Sequence, residues 1–156
     1  MDNRESEAGK AFGHLFSLAQ RWQTLGDSFL GQWDLTTKQW LLLATIETLH
    51  GGSCSLGEAA AAYGSSHQNV KRIARNLERS GFLEFSRDPD DHRVLRLTVT
   101  EKNEEFWRQH NPDAQKQINL LFQTLTDPEV REFSRLTEKL NRHTEQILEE
   151  RREGAS

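Results

Sequence analysis

The sequence predicts a mostly α protein: a winged helix-turn-helix with a two-stranded β wing, set between long N- and C-terminal helices. Three observations carry that prediction. Two short helix-periodic segments, each opened by a Ser-x-x-Glu or Ser-x-x-Gln box, are joined by a turn containing Gly64. Directly after them the apolar period falls from 3.6 towards 2. The flanking segments are long and carry apolar stripes at helical spacing.

Leu15, Leu18, Trp22, Leu25 and Phe29 step by three and four along one helical face, and Gly31 ends that helix. Thr36-x-x-Gln39 opens a second helix as a capping box, and its apolar run from Trp40 to Ile46 suits a buried central element. Ser55-Leu56-Gly57-Glu58 opens a short helix with Leu56, Ala59, Ala60 and Tyr63 inward. Ser65-x-x-Gln68 is expected to cap the next helix, whose Val70, Ile73, Ala74 and Leu77 form its inner face before Gly81 supplies a left-handed exit.

Leu83, Phe85 and Arg87, then Leu95, Leu97 and Val99, alternate with polar residues on either side of Asp88-Pro89-Asp90-Asp91. That is a hairpin with a charged tip. A helix starting near Thr100 and Glu101 is expected to break or kink at Asn111-Pro112 and to resume through Ile118, Leu121, Phe122 and Leu125. Thr126-Asp127-Pro128-Glu129 starts the last helix, on which Phe133, Leu136, Leu140, His143 and Ile147 make a coiled-coil-like seam.

With 156 residues the chain fits one small domain with helical extensions. No apolar run nears the roughly 20 residues that cross a bilayer, and Met1 to Lys10 lack the apolar stretch of a secretory signal. A cytoplasmic protein is therefore expected. The single cysteine, Cys54, excludes an internal disulfide framework. A place just ahead of a helix can favour the thiolate, but no second cysteine is there to resolve it within the chain, and Cys54 is read as structural rather than redox-sensing. His14, His50, His67, His92, His110 and His143 show no ligand spacing, so no metal or other cofactor is expected. No phosphate-cradling glycine loop, nucleophile elbow or Cys-x-x-Cys offers catalysis, and an enzyme is not expected.

The net charge of −4 is unevenly spread. Between Ser65 and Gly81, Lys71, Arg72, Arg75 and Arg79 face only Glu78. With the inward residues of that helix assigned, Ser66, His67, Gln68, Asn69, Lys71, Arg72, Arg75 and Asn76 point elsewhere. Amides and cations of this kind suit a major groove: Gln and Asn pair with adenine, Arg and Lys with guanine, and spare cations with phosphates. Ser66 to Arg72 are placed for bases and Arg75 for the backbone. The expected partner is double-stranded DNA with a pseudo-palindromic operator, read by a homodimer. Two readings of other classes stay open: a winged-helix protein-interaction module with an acidic wing tip, and a small-ligand binding protein without DNA binding.

The sequence resembles the MarR family of bacterial regulators. The matching stretches are Leu35-Thr36-Thr37-Lys38-Gln39-Trp40, Ser66 to Arg72, Leu77 to Leu83, Asp88-Pro89-Asp90-Asp91-His92-Arg93 and Val99 to Asn103. The resemblance implies a repressor released by a small aromatic effector, with residues 1–34 and 100–156 as dimerisation helices and 35–99 as the DNA-binding domain. It further implies that Asp91 and Arg93 brace the wing. Asp90 stands where the family often has a minor-groove arginine, which leaves Arg87 and Arg93 to contact phosphate. Trp22, Trp33, Trp40 and Phe106 are expected to line an effector pocket.

Overall fold

A computed structural model describes residues 3–154, with side chains throughout except those of Leu49 and His50. The elements are α1 (Asn3–Leu30), a 3-10 turn (Gly31–Trp33), α2 (Thr37–His50), β1 (Ser53–Ser55), α3 (Leu56–Tyr63) and α4 (His67–Arg79). They continue as β2 (Leu83–Arg87), β3 (Leu95–Val99), α5 (Glu101–Phe122) and α6 (Asp127–Glu153). Contacts divide the chain into two compact units, one running to His110 and one from Asn111 onward.

The first unit holds the core. Leu42, Leu43 and Ile46 of α2 are wholly buried, as are Ala59 of α3 and Val70, Ala74 and Leu77 of α4. These are the positions the apolar periodicity marked, and α2, α3 and α4 pack on one another through them. The boxes at Thr36 and Ser55 close as expected: Gln39 Oε1 accepts from Thr36 N at 2.8 Å, and Glu58 Oε2 accepts from Ser55 N at 2.7 Å. Each satisfies a backbone donor that the first helical turn would otherwise leave open.

Two local expectations are corrected. The cap of α4 is Ser66, one residue later than Ser65, because Ser66 Oγ accepts from Asn69 N at 3.2 Å. Ser65 instead accepts from the Asn69 side chain at 2.8 Å. Pro112 does not break α5, which runs continuously from Glu101 to Phe122. The surrounding residues Arg108, Gln109, Asn111 and Asp113 are exposed, so water can reach the carbonyl that proline leaves without a partner. The expected β2–β3 hairpin forms, and a short third strand that was not expected joins it: the order is β1-β3-β2, antiparallel throughout, with Cys54 opposite Leu97. Two serines and a cysteine give almost no strand signal, and cross-strand pairing supplies what local propensity does not.

Gly81 has φ 76°, and Phe82 N returns to Leu77 O at 2.9 Å, which turns the chain from α4 into β2. Gly26 serves closeness instead. A Cβ there would overlap the Thr37 hydroxyl, so a larger residue would force that hydroxyl or the helix contact to shift. Asp27 Oδ1 then accepts from Thr37 N at 2.7 Å, and the Thr37 hydroxyl donates to Gln23 O at 3.2 Å. Thus α1 caps α2 across the junction.

In the second unit, Phe122 and Phe133 lie 6.0 Å apart, and Thr126 N donates to Glu129 at the start of α6. No α6 residue is buried. Leu136, Leu140 and Leu148 are about half exposed, as are Leu25 of α1 and Leu120 of α5, while Phe12 and Phe16 are more so.

Candidate nucleic-acid interface

The outer face of α4 is the most basic surface of the first unit's helices, and its side chains are held by one another. Ser66, His67, Gln68, Lys71, Arg72 and Arg75 are exposed, whereas Asn69 and Asn76 are half-buried. The inner face is apolar and fully packed, so these side chains stand on a rigid element.

Asn69 is less free than the sequence suggested. Its Nδ2 donates to Ser65 and its Oδ1 accepts from Arg72 Nη2 at 3.0 Å. Both ends of the amide are therefore engaged, and Asn69 fixes the direction of Arg72. Ser66 is likewise occupied with the helix cap. Arg79 is paired with Asn76 one turn on. His67, Gln68 and Lys71 remain as exposed side chains at the front of the helix.

Arg75 is anchored twice. Its guanidinium sits 4.1 Å above the Phe85 ring and its Nη1 lies 2.6 Å from Glu78 Oε2. Stacking restrains a long side chain without consuming its outer donors. In the sequence Phe85 reads only as a strand residue; its place on β2, directly after α4, is the signal that puts it beneath Arg75.

Asp91 and Arg93 meet at the wing tip: Arg93 N and Nε donate to Asp91 Oδ1 at 3.0 and 3.3 Å, with the Arg93 side chain 94% exposed. The tie from tip to sheet is Asp88 with Arg96. Arg96 Nη1 is 3.0 Å from Asp88 Oδ2, and its Nη2 donates to Ser53 Oγ at 3.3 Å. Asp88 Oδ1 also accepts from Asp90 N at 2.9 Å and Asp91 N at 3.2 Å. The backbone N–H of Asp90, then the Arg96 guanidinium and the N–H of Asp91, hold the Asp88 carboxyl below the usual carboxylate range. Arg87 is exposed at the end of β2.

Of the aromatic residues expected around an effector, Trp33 and Phe106 meet edge to face at 5.6 Å. His110 packs 4.5 Å from each, and Phe29, Phe82 and Trp107 complete the cluster. Trp22 and Trp40 are half-buried on α1 and α2. Cys54 is 1% exposed on β1; burial, with the Glu58 charge adding to it, pushes its thiol up to about 11. Among the described residues no group of three or more His, Cys, Asp or Glu is arranged to hold a metal ion, and the His50 side chain lies outside them.

Helix, turn, second helix and hairpin follow one another within residues 56–99, and the family model for the MarR family matches residues 33–94. The chain belongs to the MarR family. It is 33% identical over 107 residues to the transcriptional repressor MprA of Escherichia coli, an alignment covering 69% of this chain and 61% of that protein. The match thus spans less than two thirds of the length of the relative. MarR of Escherichia coli, in a mutant complexed with operator DNA, superposes with a TM-score of 0.75 at 20% identity, over 90% of this chain and 99% of that one. BpsR of Bordetella bronchiseptica, whose DNA binding is regulated by 6-hydroxynicotinic acid, gives 0.71 at 23% identity, over 83% and 98%. These two likenesses establish the MarR-type winged-helix fold. No described helix is long and apolar enough to cross a membrane.

Proposed function

We propose that this MarR-family chain is a sequence-specific DNA-binding repressor that acts as a cytoplasmic homodimer. The observation that carries the reading is the fixed, exposed face of α4, where Asn69 aims Arg72 and Phe85 supports Arg75. Gln68, His67, Lys71 and Arg72 are the base readers, Arg75 takes the backbone, and Arg87 and Arg93 approach phosphates from the wing. Ser66 and Asn69 act by holding the helix start and Arg72 in place. MprA is named a repressor, and a MarR neighbour is complexed with operator DNA, which supports the same role here.

The apolar stripes of α1 and α6, exposed at Phe12, Phe16, Leu136 and Leu140, are the surfaces that a second copy covers. A small aromatic effector releases the DNA by favouring a non-binding geometry, as BpsR's regulation by 6-hydroxynicotinic acid suggests. Trp22, Trp33, Trp40 and Phe106 are the residues proposed to meet it. Fluorescence anisotropy against duplex from upstream of its own gene, with random duplex as competitor, tests the reading. Tight, salt-dependent and sequence-selective binding by a dimer is expected. Equal binding to both duplexes, or none, overturns it.

A further inference from the structure

Arg72, Arg75 and Arg79 of α4 are each held by a side chain three residues away, but the holders differ in kind. Asn69 accepts from Arg72 and Asn76 accepts from Arg79, and both are neutral amides. Arg75 instead donates from Nη1 to the Glu78 carboxylate at 2.6 Å. Glu78 is the only acid between Ser65 and Gly81. The one negative charge of the helix therefore lies against the cation assigned to the DNA backbone.

The surroundings of Arg75 sharpen this contrast. Its guanidinium carbon stands 4.1 Å from the centre of the Phe85 ring, which covers one face. A hydrogen-bonding anion meets a guanidinium at its edge, in the plane of the N–H groups. Glu78 already occupies part of that edge. The Arg75 and Glu78 side chains are 47% and 35% exposed, so a phosphate can reach the pair. An ion pair this exposed contributes little to folding. Its consequence falls on what Arg75 can bind.

We propose that Glu78 is an affinity-setting residue, whose carboxylate competes with DNA phosphate for Arg75 and weakens binding to every duplex alike. The inference rests on the backbone-contacting role proposed for Arg75. An arriving phosphate either displaces Glu78 from Nη1 or shares the guanidinium with it. Both arrangements leave two like charges side by side, and they repel. The penalty is independent of sequence, because every duplex presents phosphates. A homodimer meets it twice. Base reading by Arg72 is spared, since its holder Asn69 carries no charge. Glu78 thus keeps the electrostatic part of binding weaker than the four cations of the helix would give alone.

The test is a set of anisotropy titrations of the full chain, against the upstream duplex and a random duplex, at several salt concentrations. Glu78→Gln keeps the shape and an acceptor for Arg75, and makes its holder an amide like those of Arg72 and Arg79. It should melt like wild type and tighten binding to both duplexes by about threefold or more at low salt. The salt dependence should steepen by about one ion per protomer. Should Glu78→Gln melt low, Glu78→Ala carries the same expectation. Glu84→Gln removes an equal charge from β2 without touching the pair, and should tighten binding less. Added to Arg75→Ala, Glu78→Gln should bring no more gain than Glu84→Gln does. Wild-type affinity in Glu78→Gln, a gain for one duplex only, an equal gain from Glu84→Gln, or the same gain with and without Arg75 would each overturn the inference. Those outcomes leave the DNA-reading role of α4 standing. If neither wild type nor Glu78→Gln binds any duplex, that role fails and the inference fails with it.

Discussion

Arg96 Nη1 lies 3.0 Å from Asp88 Oδ2, and this pair joins the wing loop to the sheet. Because Arg96 also reaches Ser53 on β1, one guanidinium ties the hairpin to the third strand. Arg96→Ala should raise amide exchange in the wing and around Ser53, whereas Arg93→Ala should leave both near wild type. The pH dependence follows from Asp88, whose carboxyl is held low. A depressed acid stabilises above its ordinary pKa of about 3.9 and loses that contribution as pH falls through its own lower value. Wing protection should therefore be flat from neutral pH to about 4 and decline only below it. Equal effects of the two arginine variants would contradict this assignment.

Asn103 is wholly buried between α2 and α5. Its Nδ2 donates to Glu47, and its Oδ1 accepts from Trp107 Nε1 at 3.0 Å. Asn103→Ala would leave the buried indole N–H without a partner, at a cost of roughly 1–3 kcal/mol. Burial first, and the nearby Glu104 charge, raise the Glu47 carboxyl above its usual range despite the bond from Asn103. A raised acid weakens the fold as pH climbs from its unfolded pKa through its folded one. Glu47→Gln should thus be more stable than wild type at pH 7 and lose that advantage near pH 4. Denaturant melts at both pH values measure the difference.

The fold was legible where periodicity is strong. Val70, Ile73, Ala74 and Leu77 marked the inner face of α4, and the boxes at Thr36 and Ser55 marked helix starts, because such signals are local. What escaped depends on long-range pairing. β1 exists because Ser53 to Ser55 lie against Arg96 to Thr98, and the Asp88–Arg96 brace needs that register. The choice between Ser65 and Ser66 turned on which hydroxyl met Asn69 N, and adjacent serines look alike in sequence. The site residues were legible as a basic outer face, but the roles of Asn69 and Phe85 as supports for Arg72 and Arg75 were not.

Oxidation should not switch the protein through Cys54. The thiol is 1% exposed with its pKa pushed up to about 11, so almost no thiolate forms at neutral pH and oxidants have no path to it. Native protein should resist thiol-reactive dyes at pH 8 until unfolded. Peroxide should leave DNA binding as it was, and Cys54→Ala should behave the same way. A peroxide response abolished by Cys54→Ala would contradict the reading.

Gly26 and Thr37 should behave as a coupled pair. Gly26→Ala puts a methyl group into the Thr37 hydroxyl and should destabilise by about 1–3 kcal/mol. Adding Thr37→Ala removes that oxygen and leaves the Thr37 Cβ 3.4 Å from the new methyl group, so part of the loss should return. A double-mutant cycle by thermal melts reads this directly. Strict additivity would mean that the close approach of α1 to α2 does not limit the fold.

The central claim is that α4 reads DNA. The most direct measurement is a titration of wild type, Arg72→Ala and Arg75→Ala against duplex from upstream of the gene, at two salt concentrations. Arg72→Ala should cost roughly 1–3 kcal/mol and relax sequence preference at one position of each half-site. Arg75→Ala should weaken binding evenly across sequences and make the salt dependence shallower. If both variants fold and bind with wild-type affinity, sequence preference and salt slope, α4 is not the reading helix and the account is wrong.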